Sequence, residues 1–136
     1  MTWQISLTIF INIVGWGIVH ILSSQRDKKK EWREFARNTA KLVEEIEEKA
    51  IRYHTNEHRN IALEFELKKD IDKLDTYVTL IKKHLRMSHS ISFLRSSITL
   101  NNFQSHAFLQ QDCDSKLVRD LSFHAATIRE ALYLAE

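Results

Sequence analysis

A chain of 136 residues with 20 Lys and Arg, 18 Asp and Glu, 2 Gly, no Pro and 1 Cys can build one small domain and hardly two. A formal net charge of +2 is too balanced for a dedicated nucleic-acid binder, and the lone Cys113 excludes an internal disulfide or a CxxC-type zinc or redox pair while fitting a reducing compartment. Without Pro, and without Gly after Gly17, the breakers and tight turns of a β protein are missing. The expected fold class is therefore all-α: one N-terminal transmembrane helix followed by a small cytoplasmic helical bundle or hairpin of three to four helices.

From Trp3 to Leu22 no residue carries a formal charge, and Ile, Val, Leu and Phe dominate. At about 1.5 Å of rise per residue this stretch just crosses a hydrocarbon core of about 30 Å. Its apolar character wraps every face from Ile5 to Ile21, unlike the single stripe of a core helix. Only Met1 and Thr2 precede it, which is the wrong flank for a cleavable signal peptide. Arg26, Lys28, Lys29, Lys30 and Arg33 come directly after it, so the N-terminus is expected outside and the body in the cytoplasm. The same juxtamembrane basic run attracts anionic headgroups without a dedicated site, and Asp27, Glu31 and Glu34 dilute it. Trp3 falls where an indole sits at headgroup level. The layout is then 1–24 transmembrane helix, 25–34 basic juxtamembrane segment and 35–136 cytoplasmic helical domain.

Within the span, Gln4, Thr8, Asn12, Gly15 and Val19 fall within an arc of roughly 80° at about 100° per residue. A line of hydrogen-bonding side chains with a glycine favours association with a second helix in lipid, so Gln4, Thr8, Asn12 and Gly15 are the expected association face. Gly15 and Gly17 flank Trp16 and lack the small-xxx-small spacing of a tight glycine dimer.

After the basic run, Trp32, Phe35, Thr39, Leu42, Ile46 and Tyr53 recur at intervals of three, four and seven, which predicts an amphipathic helix continuous with the span. The polar string Tyr53 to Asn60 is the candidate first turn. Leu67, Ile71, Leu74, Val78, Ile81 and Leu85 alternate four and three, predicting a helix over about Asn60 to Arg86 folded back on the first. Ser88, Ser90 and Ser92 offer caps for a third helix through Ile91, Leu94 and Ile98, where a short strand is the alternative. Asn101 to Cys113 carries little pattern, and Asp112 or Asp114 could cap the next helix. Leu117, Leu121, Ala125, Ile128, Leu132 and Ala135 predict that last helix, running from Ser115 to the C-terminus. The expected core is Phe35, Leu42, Ile46, Leu67, Ile71, Leu74, Val78, Ile81, Leu85, Leu94, Ile98, Leu117, Leu121, Ile128 and Leu132.

One string has the look of chemistry. His54, Glu57 and His58 form an HxxEH pattern, the spacing of inverted zincin peptidases, in which two histidines one helical turn apart reach a zinc and the glutamate serves as base. The body is small for such an enzyme and no third ligand is apparent, so the string reads first as a solvated interhelical turn and only as a weak metal candidate. His20 is expected at the inner interface of the span, and His84, His89, His106 and His124 share no spacing. No glycine loop for phosphates and no nucleophile elbow occurs. No catalytic residue, resident metal or cofactor is expected.

The function expected from this pattern is non-enzymatic: a membrane-anchored helical protein that sits in the lipid bilayer, forms a homo-oligomer or recruits a protein partner through its helix faces, and binds no nucleic acid. The alternative is an oligomeric membrane effector or pore-forming protein of the toxin or phage-defence type, controlled by its cytoplasmic domain.

Overall fold

The structure, a computed structural model, describes residues 2–100 and 102–136. Met1 and Asn101 lie outside the described residues. Among these, four helices and no strands are present: α1 (Thr2–Thr55), α2 (Ile61–His84), α3 (Ser92–Thr99) and α4 (Lys116–Tyr133). The all-α expectation holds, and the strand alternative over residues 91–100 does not: α3 occupies it.

α1 is one helix of 54 residues, about 80 Å long at the standard rise. Nothing in its sequence breaks the ladder, since it has no proline and its two glycines each cost only about 1 kcal/mol relative to Ala. Its N-terminal apolar part is exposed on all sides, whereas Ala36, Ala40, Val43, Ile46, Ala50 and Tyr53 are buried. The small alanines on this seam let α2 and α4 pack closely against α1, a contribution that counting only large apolar residues overlooks.

α2 starts at Asn60, whose side chain accepts from the Leu63 amide at 3.0 Å, and returns antiparallel to α1. Lys49 to Asp70 at 2.7 Å and the ring contact of Phe35 with Tyr77 set the register. Trp32 stacks on His84 with centroids 3.9 Å apart, so α2 ends beside the first residues of α1 that join the bundle. The serines cap α3 only indirectly: Ile91 takes the N-cap position without a side-chain bond, and Ser90 Oγ accepts from the Ser92 amide at 3.2 Å. Arg95 bonds Asp72 across the α2–α3 gap at 3.1 Å. Ser115, rather than Asp112 or Asp114, caps α4 by accepting from the Val118 amide. α4 then descends antiparallel to α1, with Arg129 near Glu47, and stops at Tyr133 instead of continuing to the terminus. Each helix runs opposite to its sequential neighbour, the topology of an up-down-up-down bundle.

The expected core residues lie on the buried seams of α1, α2 and α4 or at their ends, and Leu94 and Ile98 bring α3 into the same core. Two positions differ. Phe35 and Leu117 are only partly buried, and Val118 takes the inward place at the start of α4. Four polar side chains also lie inside: Thr39, His54, Glu64 and Asn102. Thr39 donates its hydroxyl to the Phe35 carbonyl at 2.8 Å and needs no other partner.

Candidate functional surfaces

The HxxEH string is split by the fold. Tyr53 and His54 belong to the last turn of α1 and are fully buried, while Glu57 and His58 are exposed in the turn before α2. The reading of this string as a solvated turn is therefore corrected for His54, and the wider polar stretch from Tyr53 to Asn60 leaves the helix only after Thr55. His54 Nε2 donates to the Ile98 carbonyl at 2.9 Å, and Nδ1 accepts from the Asn102 side-chain amide at 3.2 Å. The carbonyl can only accept, which fixes the neutral tautomer and leaves neither nitrogen for a metal. Among the described residues no cluster of three His, Cys, Asp or Glu side chains has metal-binding geometry. Burial pushes the imidazole below its ordinary range, against an opposing pull from the Ile98 carbonyl.

Asn102 closes the long connection between α3 and α4. Its side chain donates to the Leu109 carbonyl at 2.9 Å and accepts from the Leu109 amide at 2.8 Å, so one asparagine imitates a pair of backbone bonds. Gln111 then donates its amide to the His54 carbonyl at 2.7 Å, and the Gln110 side chain donates to the Thr55 carbonyl at 2.9 Å. The connection thereby satisfies carbonyls that the end of α1 would otherwise leave open. Gln104 within it adopts a positive φ of 53°, a turn geometry met here without a glycine.

Beside His54, the Tyr53 hydroxyl donates to Glu64 Oε1, and Arg59 grips the same carboxylate with Nε at 2.6 Å and Nη2 at 3.0 Å. The Arg59 guanidinium, helped by the Tyr53 hydroxyl, holds the Glu64 carboxyl below the usual range despite burial. Burial and the bond to Glu64 push the Tyr53 hydroxyl up to about 12. Phe103 and Phe108 close over the Tyr53 ring with centroids 5.4 Å away. With both carboxylate oxygens engaged, this cluster pins the turn and the connection to the end of α1.

The apolar segment presents a different surface. Thr8 donates its hydroxyl to the Gln4 carbonyl at 2.8 Å, so its polar need is met within its own helix. Gln4 and Asn12 point outward on the same side with no side-chain bond among the described residues, and Gly15 has open space where a Cβ would stand. Gln4, Asn12 and Gly15 are thus exposed on one side of α1, and the Thr8 hydroxyl is already engaged within the helix. Trp16 stacks on His20 at 6.2 Å, which places His20 in an aromatic contact one turn away on its own helix.

Sequence reasoning missed two surfaces. Between α3 and α4 a groove of about 350 Å³ is walled by Phe93, Leu100, Leu117 and His124. Phe93 stacks on His124 at 5.6 Å and Phe123 meets the same ring edge-on at 5.4 Å, making an aromatic strip whose phenylalanines are 70% and 66% exposed. Phe93 and Phe123 break the core periodicity outward, and that was their available signal. The second surface is basic. Lys82, Lys83 and Arg86, at the end of α2, face Lys28 and Lys29 of α1 across a cleft floored by Trp32 and His84.

Compared with family models, with curated proteins and with solved structures, the chain matches none.

Proposed function

We propose that the protein is a single-span membrane protein whose helical bundle, on the cytoplasmic side, serves as a non-enzymatic interaction module. The observation that carries this reading is the continuity of α1: the same helix is bare and apolar on every face over its first part and forms the central wall of a packed bundle over its second. A bare apolar helix in water would expose far more contiguous apolar surface than soluble monomers tolerate, and a bilayer removes that cost. The basic residues beyond the apolar run favour the bundle's placement inside.

Two faces support association. Gln4, Asn12 and Gly15 offer a second copy polar side chains and close approach in the membrane, and the Phe93–His124–Phe123 strip offers an aromatic anchor on the bundle. Self-association through the membrane face is the first expectation.

The sole cysteine makes the topology measurable in the full chain. Cys113 is exposed on the α3–α4 connection, so a membrane-impermeant maleimide labels intact cells only if the bundle is outside. Labelling that requires permeabilisation supports the proposed orientation, and labelling of intact cells overturns it. The mass of the protein in nanodiscs tests association: a defined oligomer reduced to monomer by Gln4→Leu with Asn12→Leu supports the membrane face. An oligomer surviving that double variant but lost on Phe93→Ser with Phe123→Ser assigns assembly to the bundle. Collapse of membrane potential on expression, abolished by the first double variant, would favour the effector reading instead.

A further inference from the structure

The fold joins two basic runs that are some fifty residues apart in the sequence. The antiparallel return of α2 brings Lys82, Lys83 and Arg86 opposite Lys28 and Lys29, and the Trp32–His84 stack holds the two helices together at this end. The Arg86 amide also donates to the Glu136 carbonyl at 2.5 Å, tying the end of α4 to the same place. Five basic side chains line the cleft against two carboxylates, Glu31 and Glu136. Among the described residues none of these five basic groups is in an ion pair.

Height above the bilayer identifies what this charge faces. Leu22 ends the apolar run, and Gln25 to Lys29 stand about 5 to 10 Å beyond it along the helix. The headgroup layer is roughly 5 to 8 Å thick on each side of the hydrocarbon core. The lower lip of the cleft, Gln25 to Lys29, therefore lies at phosphate level, and the end of α2, beside Trp32 about 15 Å beyond Leu22, forms the upper lip above it. Lys82, Lys83 and His84 also offset the negative end of α2. That role needs only proximity to the α2 carbonyls, and it does not account for the facing lysines of α1.

We infer that the cleft between the start of the bundle on α1 and the end of α2 binds the phosphate headgroup of an anionic lipid, seating the bundle on the membrane surface. The inference rests on the proposed spanning role of α1. It differs from the general attraction of a juxtamembrane basic run because Lys82, Lys83 and Arg86 come from the far end of α2, and their place beside Lys28 and Lys29 depends on the fold.

The test uses the full chain in phosphatidylcholine vesicles with and without 20% phosphatidylglycerol, reading the relative association of spin-labelled phosphatidylglycerol and phosphatidylcholine with the protein. Each Lys or Arg near an anionic surface contributes about fivefold, and screening over a Debye length of about 8 Å reduces the joint effect of three to about tenfold. Wild type is expected to prefer the anionic probe, and Lys82→Ser/Lys83→Ser/Arg86→Ser to lose most of that preference. Lys68→Ser/Lys69→Ser/Lys116→Ser, with the same charge removed from exposed positions farther from the membrane, is expected to keep it. Equal preference in wild type and the α2 variant, or equal loss in both variants, overturns the inference. Displacement of the lipid probe by inorganic phosphate at constant ionic strength also overturns it, in favour of a free-anion site. Extraction of the protein from vesicles at alkaline pH would overturn the spanning reading and the inference together, whereas retention without lipid preference overturns the inference alone.

Discussion

Replacing Asn102 by Ala removes a single side chain that serves three partners, and the cost can be worked bond by bond. The Nδ1 of His54 lies in the core with Asn102 as its donor at 3.2 Å. Leaving that acceptor buried and unsatisfied costs about 1–3 kcal/mol. The two bonds to the Leu109 backbone, at 2.9 and 2.8 Å, are worth less because Leu109 is exposed and water can replace part of each. Adding roughly 1 kcal/mol for the pair gives about 2–4 kcal/mol in all. For a bundle of this size that corresponds to a fall in Tm on the order of 10–20 °C. Urea unfolding of the detergent-solubilised full chain, with Trp3→Phe and Trp16→Phe in both proteins so that fluorescence reports Trp32 against His84, measures the loss in the bundle. Hydrogen exchange localises it: the Leu109 amide should exchange much faster in the variant. A loss below about 0.5 kcal/mol, the range of ordinary surface substitutions, would refute the view that Asn102 holds the connection to α1.

Acid should weaken the same end of the bundle. Because burial lowers the pKa of His54 in the folded state, the unfolded chain takes up a proton near pH 6.5 that the folded chain refuses, so stability is full above that pH and declines below it. The slope is at most about 1.4 kcal/mol per pH unit for one proton. His54→Leu should lower stability overall yet reduce the slope between pH 6.5 and 5, and an unchanged slope would exclude His54 as its source. A second decline is expected below about pH 4.5, as Glu64 loses the charge that Arg59 and Tyr53 stabilise. Ile46→Ala, at a fully buried site on α1, should cost about 2–4 kcal/mol by the same urea assay, while Phe123→Ser on the exposed strip should stay within about 0.5 kcal/mol.

The helical seams were legible because their residues obey one periodic rule. Leu67 to Leu85 and Leu121 to Leu132 face the core as their spacing requires, whereas the cap of α4 fell on Ser115 instead of the expected Asp112 or Asp114, because all three residue types can cap and only the start of the helix chooses among them. Periodicity treats a polar residue as a solvent marker, so it placed His54 in a wet turn when its two ring nitrogens are satisfied inside. Tyr53 continued the α1 stripe seven residues after Ile46 and was the one available hint that this helix remains buried to its end. Asn102 had no such hint, because its partners come from α1 and from a connection without pattern. The aromatic strip and the basic cleft depend on which residues stand opposite each other. Each of their components is plain in the sequence, but their meeting is set by the antiparallel register of α1 with α2 and of α3 with α4.

The unbroken course of α1 gives the protein a rotational phase. With about 100° per residue and no hinge between the apolar segment and the bundle, the bearing of Gln4 and Asn12 around the axis is tied to the bearing of α2 and α4. Two copies that met through the first pair of residues would hold their bundles at one fixed azimuth. Adding a single residue between Gln25 and Glu31 would swing the bundle by about 100° and shift it about 1.5 Å along the axis, whereas adding seven would return it to within about 20° of its original bearing and shift it about 10 Å. Orientation and elevation can thus be changed separately, with the helix acting as a shaft between them.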